Sequence, residues 1–177
     1  MATKGSGRWK NLLEELKKRA RKKFEFLSTS PLYTEELAFK ISRKLNCGNV
    51  LALVGELGTG KTTFVRGLVK GLGMGKERMV KSPTFTLFSI YPASKTIYHF
   101  DLYRIDEEDF IDIGGLEYLQ TQEGIVVLEW AEKVKLLLPM NTILIEFFHS
   151  EFSLRDTQKR KIVIYTPYQW EDEHFSF

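Results

Sequence analysis

Residues 54–64 read VGELGTGKTTF and match the pattern G-x-x-x-x-G-K-[ST]. Glycines in this pattern let the backbone wrap around phosphate oxygens and point N–H groups at them, and a following helix presents its positive dipole end to the same anion. The lysine reaches the β- and γ-phosphates, and the next hydroxyl is a ligand for Mg²⁺. The pattern therefore predicts Mg²⁺ and nucleoside triphosphate binding. The predicted nucleotide contacts are Gly55, Glu56, Leu57, Gly58, Thr59, Gly60, Lys61, Thr62 and Thr63.

An apolar run precedes this loop and an amphipathic pattern follows it. Residues 50–54, VLALV, are apolar at every position, which is typical of a strand covered on both faces in a parallel sheet. Apolar residues then recur at helical spacing up to a group of glycines beginning at Gly71. Phosphate binding requires this order of strand, loop and helix, so a simple glycine turn explains the stretch poorly.

The remaining pattern predicts an α/β fold. Residues 84–101 predict an antiparallel hairpin around the turn YPASK, and a helix is expected to begin with Thr34 as its N-cap. Three later apolar runs predict further strands, GIVVLEW, TILIEFF and KIVIYTP. The expected architecture is a mixed, mostly parallel sheet with flanking helices and the antiparallel hairpin.

The first 26 residues are basic. They contain nine Lys or Arg and three Glu, a balance of +6, which leaves −3 on the other 151 residues of a chain with net charge +3. Apolar residues from Trp9 to Phe24 follow helical spacing and predict an amphipathic helix, which either packs on the domain or docks RNA or an acidic partner. We divide the chain into an extension, 1–26, and a single domain, 27–177. Because the basic charge is local, we do not expect a DNA-binding groove.

Composition indicates a cytoplasmic globular protein. The hydrophobic share of 43% and charged share of 28% are ordinary for that class. No apolar run approaches the roughly 18 residues of a membrane span. The single cysteine, Cys47, excludes an internal disulfide and any multi-cysteine metal site, in keeping with a reducing compartment.

Two acidic residues at predicted strand ends are candidates for the metal and the nucleophile. Glu129 ends one apolar strand and Asp101 ends another, so one is expected to anchor Mg²⁺ and the other to orient a nucleophile. We interpret His99, near Asp101, as structural, and Trp130 as either a wall of the site or a core residue. Guanine specificity usually needs an N-K-x-D element, and the sequence has none, which favours ATP over GTP.

In combination, four motifs resemble the TsaE family, the small bacterial ATPases of tRNA threonylcarbamoyladenosine biosynthesis. They are the glycine loop, KSPTFTL at 81–87, YHFDLYRI at 98–105 and VLEWAEK at 127–133. The resemblance covers residues 27–148 approximately. It implies a P-loop NTPase fold and an ATPase of low intrinsic activity, activated by the partners TsaB and TsaD and meeting tRNA through their complex.

The resemblance also implies roles for single residues. Thr62 and Glu129 match the magnesium positions, Asp101 matches an acid near the γ-phosphate, and Thr84 lies in a switch-like segment. The implied catalytic set is Lys61, Asp101, Glu129 and Thr84, and the implied metal set is Thr62, Glu129 and Asp101.

Adenine contacts are expected near Thr29 and Ser30, where the family carries a short loop before its first helix. Two segments depart from the family pattern, residues 1–26 and an insertion at 149–160, HSEFSLRDTQKR. Neither departure touches the catalytic motifs.

Two other functions remain open. A small-metabolite or nucleotide kinase has the same loop, and the arginines of RDTQKR, 155–160, would then clamp phosphates as a lid. In a non-enzymatic switch, ATP would only order residues 82–87 for a partner to recognise. Turnover of ATP distinguishes these functions from an ATPase: a kinase releases ADP rapidly only with a particular acceptor, and a switch needs no turnover.

Overall fold

The computed structural model describes residues 6–74, 87–149 and 159–171. Within those ranges, seven strands form one sheet in the order β1-β7-β6-β2-β5-β4-β3. The strands are β1 (Lys22–Ser28), β2 (Val50–Gly55), β3 (Phe88–Tyr91), β4 (Thr96–Asp101), β5 (Gly124–Glu129), β6 (Ile143–His149) and β7 (Arg160–Thr166). The helices are α1 (Ser6–Arg19), α2 (Pro31–Ser42), α3 (Lys61–Gly71), α4 (Glu107–Asp112), α5 (Gly115–Leu119) and a 3₁₀ helix (Ala131–Leu137).

The centre of the sheet is parallel and its two sides are antiparallel. Strand β2 pairs in parallel with β5 and β6, and β5 in turn with β4. Strand β3 adds the predicted hairpin at one edge, and β7 and β1 complete the other side. The predicted α/β class and mixed sheet are confirmed.

The helices cover both faces of the sheet. Helices α2 and α3 pack on one face, where Ile41 and Phe64 are fully buried in the same apolar cluster as Leu53 of β2. Helix α1, the 3₁₀ helix, α4 and α5 cover the other face, where Leu16 and Phe110 are buried. The strands between these layers are apolar without alternation because both of their faces are covered.

The N-terminal helix is shorter than its sequence pattern suggests. It ends at Arg19, and Phe24 belongs to β1, which runs antiparallel to β7 from Lys22 to Ser28. The ladder with β7 and the burial of Phe24 outweigh the helical spacing, which is a local preference that tertiary pairing overrides. Strand β1 crosses the predicted domain boundary between residues 26 and 27.

Helix α2 begins earlier than predicted. Its N-cap is Ser30, whose Oγ accepts a hydrogen bond from the N–H of Tyr33 at 3.1 Å, and Pro31 occupies the first helical position. Thr34, the predicted cap, lies inside the helix and is buried. Proline suits the first position because the N–H it lacks has no intrahelical partner there.

None of the helices described is long and apolar enough to cross a membrane.

Candidate functional site

The phosphate-binding loop (55–62) joins β2 to α3, and its glycines have left-handed or related backbone angles. The φ angle is +151° at Gly55, +77° at Gly58 and +101° at Gly60. A Cβ atom at Gly55 would lie 2.5 Å from the carbonyl oxygen of Phe147 on β6. Only glycine therefore fits where the chain leaves the sheet.

Lys61, the first residue of α3, spans this loop. Its Nζ donates hydrogen bonds to the carbonyl oxygens of Gly55 at 2.6 Å and Glu56 at 2.9 Å, and lies 3.8 Å from the centroid of the Trp130 ring. Burial lowers the pKa of Lys61, and nearby carboxylates oppose that shift. The ammonium group is thus held beside the backbone that would surround a phosphate.

Glu129 ends β5 and has a partner on each carboxylate oxygen. The Thr62 hydroxyl donates to Oε2 at 2.9 Å, and His99 Nε2 lies 2.9 Å from Oε1. Glu129 is 3% exposed and His99 is fully buried. His99, which the sequence suggests is structural, lies against a predicted metal ligand. Its position two residues before Asp101 was the available signal, because such residues share one face of a strand.

Asp101 ends β4 beside Glu129 in the sheet register. Its Oδ1 accepts a hydrogen bond from the N–H of Tyr103 at 3.0 Å, and the residue is 1% exposed. The turn after β4 therefore fixes the orientation of this carboxylate. Two predicted acids, from two parallel strands, meet at the same edge of the sheet.

The oxygen groups of Thr62, Asp101 and Glu129 suit Mg²⁺. This ion is usually held by one or two carboxylates together with substrate phosphates and water. In the part of the chain that the structure describes, no three His, Cys, Asp or Glu side chains form a metal-binding group. Because Thr62, Asp101 and Glu129 supply a hydroxyl and two carboxylates, the set fits a metal whose remaining ligands are nucleotide phosphates and water.

A cavity of about 320 Å³ connects these groups. It lies between the phosphate-binding loop and the ends of β4 and β5. Trp130, whose position the sequence left open, lines it, and its ring packs against Tyr103 with centroids 5.0 Å apart. The lining residues are Leu57, Gly58, Gly60, Lys61, Thr62, Thr63, Asp101, Tyr103, Glu129 and Trp130.

The expected adenine contacts, Thr29 and Ser30, are not among the residues that line this cavity. Thr29 is exposed, and the hydroxyl of Ser30 is engaged as the cap of α2. Thr34, one turn later, approaches the phosphate-binding loop, since its Cγ2 is 4.0 Å from where a Cβ of Gly60 would be. Contact of Thr29 and Ser30 with adenine stays a prediction. Thr84 lies outside the described residues.

Two side chains that the sequence did not place in the site contact backbone carbonyl groups of the loop. Arg160, at the start of β7, donates from Nε and Nη2 to the carbonyl oxygen of Gly58 at 3.3 and 3.1 Å. His149 Nε2 lies 3.3 Å from the carbonyl oxygen of Leu57. These contacts tie two loop carbonyls to the end of β6 and the start of β7. The sequence suggests Arg160 only as part of a lid.

Glu132, in the 3₁₀ helix, is a further acid near the site. Its Oε2 is buried and has no hydrogen-bond partner among the residues described, and burial raises the pKa of the carboxyl group. The positive charge of Lys61 opposes this rise in the pKa, so Lys61 lies within electrostatic reach of Glu132. Sequence reasoning did not identify Glu132, although it belongs to the motif VLEWAEK.

Comparison with known proteins gives several matches. Residues 28–162 match the family model described as "Threonylcarbamoyl adenosine biosynthesis protein TsaE". The chain is 45% identical to the tRNA threonylcarbamoyladenosine biosynthesis protein TsaE of Treponema pallidum, over 59% of this chain and 76% of that protein. It is 39% identical to the Aquifex aeolicus protein of the same name, over 75% of this chain and 88% of that protein. A crystal structure of Bacillus subtilis YdiB superimposes with a TM-score of 0.67 and 29% identity, covering 83% of this chain and 87% of that one.

Proposed function

The chain belongs to the TsaE family, and from this premise we propose that it is the Mg²⁺-dependent, ATP-hydrolysing subunit required for threonylcarbamoyladenosine modification of tRNA. It works with TsaB and TsaD in the cytoplasm and meets tRNA through their complex. The observation that carries the proposal is the convergence of Lys61, Thr62, Asp101 and Glu129 on one cavity.

The loop and Lys61 bind and orient the triphosphate. Loop N–H groups and the N-terminus of α3 face the phosphates, and the ammonium of Lys61 reaches the β- and γ-phosphates. The buried position of Lys61 strengthens its attraction for phosphate because fewer water molecules screen the charge.

The carboxylates divide the remaining work. Thr62 and Glu129 would hold Mg²⁺, which when bound would neutralise charge on the phosphates. Asp101, held by the Tyr103 N–H, orients the water molecule that attacks the γ-phosphate. Trp130 and Tyr103 shield the reacting end of the cavity from bulk water.

Hydrolysis is slow in the isolated protein and is stimulated by its partners. The test is steady-state ATP hydrolysis by the purified chain, alone and with TsaB and TsaD of the same organism. Lys61→Ala in the same mixture measures contaminating activity. A rise of at least about tenfold, equal to about 1.4 kcal/mol in the barrier, is expected.

Two results would contradict the proposal. Hydrolysis that is unaffected by TsaB and TsaD would remove the partner-activated role. ADP release that requires a small-molecule acceptor would instead favour the kinase.

A further inference from the structure

The carboxylate of Glu129 is held by hydrogen bonds from two directions. On neighbouring parallel strands, Asp101 is in register with Glu129 and His99 with Val127. His99 and Glu129 therefore share one face of the sheet. On that face, His99 Nε2 lies 2.9 Å from Oε1, while the Thr62 hydroxyl, at the start of α3, donates to Oε2 over the same distance.

The direction of the histidine bond follows from its partner. An ionised carboxylate only accepts hydrogen bonds, so Nε2 is the atom that donates to Glu129. Nδ1 is buried and has no hydrogen-bond partner among the described residues. Leaving a buried polar atom unpaired is unfavourable. An apolar ring would fill the same place without that disadvantage, so the particular contribution of His99 is its Nε2 donor.

We propose that His99 is a positioning residue for Glu129. A carboxylate with one partner still turns about its last side-chain bond, where the torsional preference is broad. Donors on both oxygens restrict that rotation and keep Oε2 directed at Thr62. The inference rests on the proposed function, because the consequence is that His99 determines how strongly Mg²⁺ increases the affinity for ATP.

Two substitutions at position 99 distinguish the effect of the Nε2 hydrogen bond from the effect of the imidazole ring. Glutamine at position 99 places its amide nitrogen at about the reach of Nε2, whereas asparagine places its amide nitrogen nearer the position of Nδ1. Both His99→Gln and His99→Asn lose the ring and its contact with Tyr91, 6.0 Å between centroids. Both variants keep an amide group and lack the ring, and they differ by one methylene, which decides whether the amide nitrogen reaches Glu129.

Calorimetry measures the dissociation constant of ATP without Mg²⁺ and with saturating Mg²⁺. The quantity compared is the first constant divided by the second. His99→Asn should reduce this ratio about tenfold, the size expected for one hydrogen bond to a charged group. His99→Gln should recover most of it. Thermal unfolding of both variants without nucleotide establishes that both are folded.

The outcomes distinguish this inference from the proposed function. A wild-type chain whose ATP affinity does not respond to Mg²⁺ would overturn the proposed function and this inference with it. A normal wild-type ratio that His99→Asn leaves unchanged, or that both variants reduce equally, would overturn the inference alone.

A spectroscopic test needs neither metal nor nucleotide. The chain has three histidines, and the ¹⁵N signals of His99 are those that disappear in His99→Gln. We expect the Nε2–H tautomer in the free protein. Observation of the Nδ1–H tautomer would overturn the inference.

Discussion

The ammonium nitrogen of Lys61 lies 3.8 Å from the centroid of the Trp130 ring. Trp130 follows Glu129 and has left-handed backbone angles, φ 60° and ψ 38°, so its ring turns back towards the phosphate-binding loop. Two consecutive residues at the end of β5 thus contact two consecutive residues of α3. Trp130 packs on Lys61 while Glu129 accepts a hydrogen bond from Thr62. This double contact fixes α3 relative to the strand that carries the acid.

Substitution of Trp130 should weaken this connection. Trp130→Leu removes the aromatic face, and Trp130→Phe keeps a smaller one. Cation–π contacts contribute about 0.5 to 2 kcal/mol depending on desolvation. We expect the free energy of unfolding, measured with urea, to fall further in Trp130→Leu than in Trp130→Phe. The same two substitutions in a Lys61→Ala background should differ less, and an undiminished difference would mean that the ring acts without Lys61.

Lys61→Ala should abolish measurable ATP binding. The substitution removes the charge that reaches the phosphates and also the two hydrogen bonds to loop carbonyls. Calorimetry with Mg²⁺ and ATP is the measurement. Lys70→Ala is the matched control, since Lys70 is exposed in the same helix. Unchanged affinity in Lys61→Ala would contradict the assignment of the loop.

Glu129→Ala should bind ATP and fail to hydrolyse it. The phosphate-binding loop and Lys61 remain, so Mg²⁺-free ATP should bind with nearly wild-type affinity in calorimetry. The lost carboxylate should reduce hydrolysis with TsaB and TsaD by at least about a hundredfold, comparable to the loss of an important polar group in other active sites. Normal threonylcarbamoyladenosine content in the tRNA of cells that carry only this variant would count against the proposed role.

Much of this site could be predicted because its signals are local. The phosphate-binding loop is contiguous, and β2 and β5 are short apolar runs that end at the loop and at Glu129. The predicted cap of α2, Thr34, is wrong by one turn, although serine followed by proline, as at Ser30, is a common helix start.

The remaining features depend on contacts between distant parts of the chain. Strand β1 lies in a lysine-rich segment, and only its pairing with β7 distinguishes it from a continuing helix. The hydrogen bond between His99 and Glu129 depends on the register of β4 and β5. No spacing within one segment specifies that register, so the sequence identified the acid without its partner.

Gly67→Ala should destabilise the protein by loosening α3 from α2. A Cβ at Gly67 would lie 2.7 Å from the Cβ of Ala38 and would clash with the carbonyl oxygen of Glu35. Overpacking of this kind costs about 1 to 3 kcal/mol. Urea unfolding measures the loss, and Arg66→Ala, at the exposed neighbouring position, is expected to cost less than about 1 kcal/mol. Equal losses would show that the two helices adjust to the added methyl group.

Glu25→Gln should alter the acid stability of the protein. Hydrogen bonds from Lys161 and then Lys23, at 2.8 and 2.5 Å, lower the pKa of Glu25 to about 2. A carboxyl group with a lowered folded-state pKa stabilises the fold above its unfolded pKa, about 4.3, and this contribution is lost as the pH falls towards 2. Wild type should therefore be more stable than Glu25→Gln at pH 7, and the two should converge near pH 2.

Urea unfolding between pH 7 and pH 2 measures this difference. Glu25 links neighbouring residues of β1 to β7, so the change reports on how firmly the N-terminal strand is attached. High salt should reduce the difference because the ion pairs are exposed to solvent. Glu15→Gln is the control, since Glu15 is exposed on α1 and makes no ion pair among the described residues. If both variants follow the same pH profile, Glu25 does not secure β1, and the pairing of β1 with β7 rests on the backbone ladder and buried Phe24.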